Sequence, residues 1–266
     1  MPIIEPSVPL QGQVHPALWS AVIPAAGRGT RLAAPMPKIL YPVLSRPILD
    51  WLLDIVAPVC GAVVLVLAPK AAAEVEGVAR KRLGDRLAVA IQDEPRGMAD
   101  AIRRGLEKVA TPNTLVIWGD QILLKAETVR RCILAHQMHD NTVLTLATVL
   151  RDHPYIDIRR DESGRIAEVR QAREGDACGE QGESDCGLFL FNTAALRETL
   201  VRAEQAGLGR GAKTGEFNLL QILPLFEGGT RRTTAVRVED PAEAIGINNP
   251  AEATDAERIL SQRQRV

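Results

Sequence analysis

The sequence predicts an α/β fold: a Rossmann-like, mostly parallel open sheet flanked by helices, with a small mixed or antiparallel insertion. Three observations carry this. Ala62 to Ala68 (AVVLVLA) is continuously apolar and valine-rich, as a parallel strand covered on both faces must be. Four strand-like runs alternate with three helical ones between Ala21 and Trp118, which calls for right-handed βαβ crossovers. Beyond Val143 the runs shorten and turn residues crowd between them.

In order, Pro2, Pro6, Pro9 and Pro16 punctuate residues 1–18, which read as an extended N-terminal arm. The first strand is Ala21 to Ile23, followed by a glycine-rich loop and a helix from Ile48 to Val56. Strand Ala62 to Ala68, helix Ala71 to Leu83, strand Leu87 to Ile91, helix Ala99 to Val109 and strand Thr114 to Trp118 complete the alternation. A helix is expected at Glu127 to His136. Short strands follow at Val143 to Leu150, Tyr155 to Arg159, Ile166 to Arg170 and Leu188 to Phe191, within an insertion spanning 143–192. Helices are expected at Ala194 to Glu204, Phe217 to Phe226 and Pro250 to Gln262, with strands at Thr233 to Val238 and Ala244 to Ile247. The organisation is therefore an arm (1–18), a main domain (19–252) and a C-terminal helix (253–266).

Among 266 residues, 46% are hydrophobic and 24% charged, and the net charge is -1, so no sequence-independent grip on nucleic acid or on an anionic membrane is advertised. The proline-broken N-terminus lacks the pattern of a signal peptide, and no apolar run reaches a membrane span, which favours the cytoplasm. Cys60, Cys132, Cys178 and Cys186 form no metal-binding spacing and read as reduced, mostly packed thiols. His136, His139 and His153 lack a nucleophile or metal motif and read as solvated, as does the acidic stretch from Glu174 to Asp185. Glu183 and Asp185 are kept as minor candidates for the acceptor pocket.

The most informative stretch is Ala25-Ala26-Gly27-Arg28-Gly29-Thr30-Arg31, just after the first strand. Its glycines let the backbone approach a ligand and turn several N–H groups toward one point, an anion-binding nest. Arg31 and the downstream Lys38 add a guanidinium fork and a point ammonium, a set suited to a triphosphate. It is not a Walker loop, and Leu32 stands where a dinucleotide fingerprint wants a third glycine or alanine.

Gly27-Arg28-Gly29-Thr30-Arg31 with Pro37-Lys38 resembles the signature of the sugar-1-phosphate nucleotidyltransferases, most nearly the uridylyltransferase domain acting on N-acetylglucosamine 1-phosphate. Gln92 with Gly97, Gly119-Asp120, Gly215-Glu216-Phe217 and Gly246-Ile247-Asn248-Asn249 follow in matching order, over roughly Trp19 to Glu252. The resemblance implies a nucleotide-diphospho-sugar transferase type of fold and transfer of a nucleotidyl group from a nucleoside triphosphate, UTP or dTTP favoured, to a sugar 1-phosphate or similar phosphorylated acceptor. Pyrophosphate is released. It implies that Ala25, Ala26, Gly27, Gly29 and Thr30 cradle the nucleotide, that Gln92 and Gly97 read the base, and that Arg31, Lys38 and Asp120 carry catalysis. Magnesium would sit on Asp120 and Asn248, hard oxygen donors that suit it. The attacking phosphate is already largely ionised at neutral pH, so positioning and charge neutralisation, not a general base, would supply the rate.

The acceptor side departs from the N-acetylglucosamine pattern. Trp118 replaces a tyrosine, Ile156 a glycine, Gln171 a glutamate and Asp185 an asparagine. Losing space and a charge-assisted bond redirects such a site, so another sugar 1-phosphate, a cyclitol phosphate or a different phosphorylated alcohol is expected. Gly119-Asp120-Gln121-Ile122 is also similar to thymidylyltransferases. No hexapeptide-repeat half is expected after Val266. The partners are small molecules, and self-association stays open. The alternatives are a non-catalytic regulatory paralogue that binds a nucleotide-sugar and a nicotinamide-dependent dehydrogenase.

Overall fold

The computed structural model describes residues 2–27, 32 and 34–264. Its centre is four parallel strands, β2 (Trp19–Pro24), β5 (Ala62–Leu67), β6 (Leu87–Ile91) and β7 (Asn113–Ile117), in the order β7-β2-β5-β6. A short antiparallel pair, β3 (Pro42–Val43) and β4 (Arg46–Pro47), lies apart from it. Helices α1 (Ile48–Val56), α2 (Pro69–Leu83), α4 (Ala126–Gln137) and α6 (Pro250–Arg263) cover one face of the sheet. Helices α3 (Met98–Leu106) and α5 (Thr193–Gln205) cover the other.

The valine-rich run behaves as its composition demands. Val63, Leu65 and Leu67 enter one core, and Val64 and Val66 enter the core on the opposite face. Strand β2 divides likewise, with Ala21 and Ile23 on one side and Val22 on the other. Because β2, β5, β6 and β7 run in one direction, their following loops gather at a single edge.

The sheet continues past β7 through β11 (Gln181–Asn192), which is antiparallel to both β7 and β8 (Thr142–Asp152). Strand β12 (Arg232–Arg237) lies parallel to β8. Two further strands, β9 (Ile156–Arg160) and β10 (Ile166–Gln171), form an antiparallel pair against β11. The mixed insertion expected from the short runs is thus present, but β11 begins well before Leu188. That change buries part of the acidic stretch. Glu174, Glu183 and Asp185 are all buried, and Glu183 receives a two-pronged bond from Arg160 at 2.6 and 2.8 Å. Arg160 beside Glu183 and Arg173 beside Glu174 make the burial of those two carboxylates tolerable, a condition that single-residue polarity does not reveal.

Two expected elements differ. Phe217 to Phe226 is not an α-helix: Leu220–Phe226 is a 3-10 helix, started by Asn218 Oδ1 accepting from Leu220 N (3.0 Å) and interrupted by Pro224, which has no N–H to donate. Ala244 to Ile247 is not a strand. Pro241–Ala244 forms a 3-10 turn capped by Asp240, and Ile247 N donates to the Asp120 carbonyl at 3.2 Å.

The arm is held down along its length. Its residues Ile3–Ile4 form strand β1, parallel to β12, and Arg131 donates to the carbonyls of Val8 (3.0 Å) and Glu5 (3.1 Å). His136, expected in solvent, is buried edge-on against Trp19 with Nδ1 3.0 Å from Thr145 Oγ1, and burial pushes its pKa down to about 4. All four cysteines are free; Cys60, Cys132 and Cys186 are buried, with thiols pushed up by desolvation. Among the described residues no helix is long and apolar enough to cross a membrane.

Candidate active site

At the edge where the parallel strands end, three side chains far apart in sequence meet. Lys38 Nζ donates to Asp120 Oδ2 at 2.6 Å and to Asn248 Oδ1 at 2.9 Å. Each is positioned by ordinary local forces. Lys38 opens a 3-10 turn whose next residues, Ile39 and Leu40, are buried and anchor it. Asp120 leaves β7 through Trp118 and Gly119, and its backbone carbonyl is gripped by Ile247 N. Asn248 is held just before α6, where the Glu252 carboxylate accepts from its N–H and Asn249 Oδ1 caps Glu252 N at 3.0 Å. The two segments touch at Gly246, where an added Cβ would stand 3.1 Å from Asp120 Cγ. One ammonium between two hard oxygens is an arrangement in which cations and phosphate oxygens can exchange partners.

The glycine loop is only partly described. Ala25 continues β2 by donating to Val66 O (2.8 Å), Ala26 is buried and Gly27 is exposed. Gly29, Thr30 and Arg31, expected to bind phosphate, lie outside the described residues.

Gln92 stands at the end of β6 and is buried, not an exposed strand-end residue. Its Nε2 donates to Gly97 O (3.1 Å) and to Asp100 Oδ2 (2.9 Å). Gly97, at φ 110°, caps α3 and lies against the backbone of Phe217.

The four expected acceptor residues divide into two touching pairs. Trp118 packs on Phe189 with ring centroids 5.0 Å apart, and its side chain lies beside the Asp185 carboxyl. Ile156 and Gln171 face each other across β9 and β10. The two pairs are linked through Ser184 Oγ, which donates to Ile156 O. Gln171 Oε1 accepts from Asn218 Nδ2 at 2.8 Å, while its Nε2 is buried without a partner among the described residues.

Asp185 is buried, and desolvation, with the nearby Asp120 charge, pushes its carboxyl up to about 6 despite the bond from Gly187 N (2.8 Å) and the neighbouring Trp118 side chain. A folded value of about 6 above the ordinary 3.8 means that the folded state holds the proton more tightly, so this group's contribution to stability falls as pH rises through that interval. Asp185→Asn should therefore melt higher than the parent above pH 6, by on the order of 2 kcal/mol, with the gap closing toward pH 4. Thermal unfolding of both proteins between pH 4 and 8 measures this, and a gap independent of pH contradicts the assignment.

Sequence reasoning missed Asp100 and Asn218, which hold Gln92 and Gln171. Asp100 carried one legible signal, an acidic residue in the first turn after a glycine cap; Asn218 carried none.

Comparison with solved structures places the fold. It matches 4-diphosphocytidyl-2C-methyl-D-erythritol synthase from Anaerococcus prevotii DSM 20548 with a TM-score of 0.64, covering 93% of this chain and 100% of that one at 15% identity. That likeness shows the fold; the class, a nucleotidyltransferase domain, is shown by the family model and by sequence relatives. A model of the MobA-like NTP transferase domain matches residues 21–185, more than half of the chain, and the chain belongs to that family. Relatives named bifunctional protein GlmU include one from Desulfitobacterium hafniense (strain Y51), 31% identical over 92% of this chain and 52% of that protein. Another, from Kineococcus radiotolerans, is 34% identical over 94% of this chain and 50% of that protein. The resemblance read from the motifs is thereby borne out. The chain spans about half the length of the curated relatives it matches.

Proposed function

We propose that the domain transfers a nucleotidyl group from a nucleoside triphosphate, UTP or dTTP favoured, to the phosphate of a sugar 1-phosphate, cyclitol phosphate or similar phosphorylated alcohol, releasing pyrophosphate. The observation that carries this reading is the convergence of Lys38, Asp120 and Asn248 at one edge of a parallel sheet.

The donor set fits magnesium. Asp120 and Asn248 offer one carboxylate and one amide oxygen, and both already converge on a cation, the Lys38 ammonium. When bound there, the ion supplies charge neutralisation at the phosphates. The remaining work belongs to the chain. Arg31 holds the β and γ phosphates, and the backbone from Ala25 to Thr30 cradles them. Lys38, released from its carboxylate, holds the α-phosphoryl group and the incoming acceptor phosphate. The acceptor oxygen attacks the α-phosphorus in line and the bond to pyrophosphate breaks, with no side-chain nucleophile and no proton to remove.

On the acceptor side, the buried Gln171 Nε2 offers a donor to a hydroxyl, with Ile156 opposite and Asp185 against Trp118. A neutral amide and a branched apolar chain at these places support an acceptor other than N-acetylglucosamine 1-phosphate. The test is a pyrophosphate-release screen that crosses the common nucleoside triphosphates with sugar and cyclitol phosphates in magnesium. Turnover with one such pair is the expected result, and preference for N-acetylglucosamine 1-phosphate would overturn the acceptor assignment.

A further inference from the structure

The Gln92 amide is held on its donor side by two contacts, to Gly97 and Asp100. Asp100 is buried in the first turn of α3. Its Oδ1 accepts from Arg103 Nη2 at 2.8 Å, and its Oδ2 accepts from Arg104 Nε at 3.1 Å and from Gln92 Nε2 at 2.9 Å. Burial pushes the Asp100 carboxyl up, but the bonds from Gln92, Arg103 and Arg104 outweigh it and hold the group below the ordinary carboxylate value. The group is therefore an anion at neutral pH.

An ionised carboxylate only accepts hydrogen bonds, so the atom Gln92 turns toward it must be Nε2. The second Nε2 hydrogen goes to Gly97 O at 3.1 Å. Both donors of the amide are used, and Oε1 is what remains to meet a ligand. Turning the amide over would set Oε1 against the Asp100 carboxylate and the Gly97 carbonyl together, two acceptor-to-acceptor contacts. Gly97 N–H, for its part, donates to no group among the described residues.

We infer that Asp100 is a positioning residue that locks the Gln92 amide, so that Oε1 and the Gly97 N–H present one acceptor and one donor in a fixed order and admit bases carrying an imino N–H beside a carbonyl. Uracil, thymine and guanine carry that edge. Cytosine and adenine carry the reverse, an amine beside a bare ring nitrogen, and meet donor with donor and acceptor with acceptor. This rests on the reading above that Gln92 and Gly97 meet the base.

The test is equilibrium binding of UTP, dTTP, GTP, CTP and ATP to the whole protein in magnesium, with no acceptor present. The expected result is that the tightest ligand comes from the first three and that UTP exceeds CTP by at least tenfold. N3-methyl-UTP, which lacks the imino hydrogen, should bind at least tenfold more weakly than UTP. In Asp100→Asn, which removes one of the two acceptors that fix the Gln92 amide and leaves Gly97 O, the UTP to CTP ratio should fall at least threefold, while binding of inorganic tripolyphosphate is kept. A merely structural role for Asp100 would weaken tripolyphosphate as well. CTP or ATP binding best, full binding of N3-methyl-UTP, or an unchanged ratio in a folded Asp100→Asn overturns the inference alone. If no triphosphate binds, nucleotidyl transfer itself fails and the inference falls with it.

Discussion

Asp120→Ala is expected to lower pyrophosphate-releasing turnover by roughly 10³-fold or more while the protein stays folded. The carboxylate touches Lys38 Nζ at 2.6 Å and, under the proposed reaction, is one of two oxygens available to a divalent ion. Removing it leaves Asn248 as the single neutral ligand and removes the charge that holds the metal against the phosphates. The fold has little stake in the side chain. Lys38 and Asp120 are each about one-fifth exposed, at 20% and 19%, and an ion pair at a wet surface contributes roughly 1 kcal/mol or less. The contact that ties Asp120 to the C-terminal segment runs through its backbone carbonyl, which alanine retains. The melting temperature should therefore shift by only a few degrees, and an active Asp120→Ala protein would contradict the assignment.

Gly97→Ala is expected to act in the opposite sense, on the fold first. At φ 110° and ψ 172°, Gly97 occupies backbone space that other residues reach only under strain. An added Cβ would fall within 2.3 Å of Phe217 O and 2.6 Å of Phe217 N. Both are backbone atoms and cannot swing aside. They also make the bonds that clasp this loop, Phe217 N to Arg96 O (2.8 Å) and Ala99 N to Phe217 O (3.0 Å). Two broken bonds at about 1 kcal/mol each plus 1–3 kcal/mol of strain give a loss of roughly 3–5 kcal/mol. For a chain of this size that is a fall of roughly 10 °C in Tm. Gly77→Ala is the control: the site lies within α2, nothing stands within 4 Å of the added carbon, and a helical alanine should raise stability slightly. Equal melting of the two variants would contradict the argument. Because Gly97 also belongs to the candidate base site, folded Gly97→Ala should bind UTP poorly.

Much of the fold and part of the candidate site were legible in the order of residues. The alternation of apolar runs with helical stretches marked a parallel sheet, because a strand buried on both faces has no room for polar side chains. The glycine-rich loop, Lys38, Gly119-Asp120 and Asn248 stood out through chemistry that is readable one residue at a time. Local pattern also misled where burial decides. His136, Glu174 and Glu183 are polar letters that read as solvent-facing, yet strands β8 and β11 and neighbouring partners enclose them. Phe217 to Phe226 looked helical from its apolar content, while Pro224 and the Asn218 cap set a tighter turn.

By itself, then, the sequence determined that this is an open α/β domain with a glycine-rich loop at a strand end, because hydrophobic period and glycine placement act over a few neighbouring residues. Only the tertiary structure decided that Lys38, Asp120 and Asn248 share one contact across 82 and 210 positions of chain, and that Asp100 dictates how Gln92 is turned. Hydrogen-bond direction depends on which donors and acceptors meet in space, and no one-dimensional pattern carries that information.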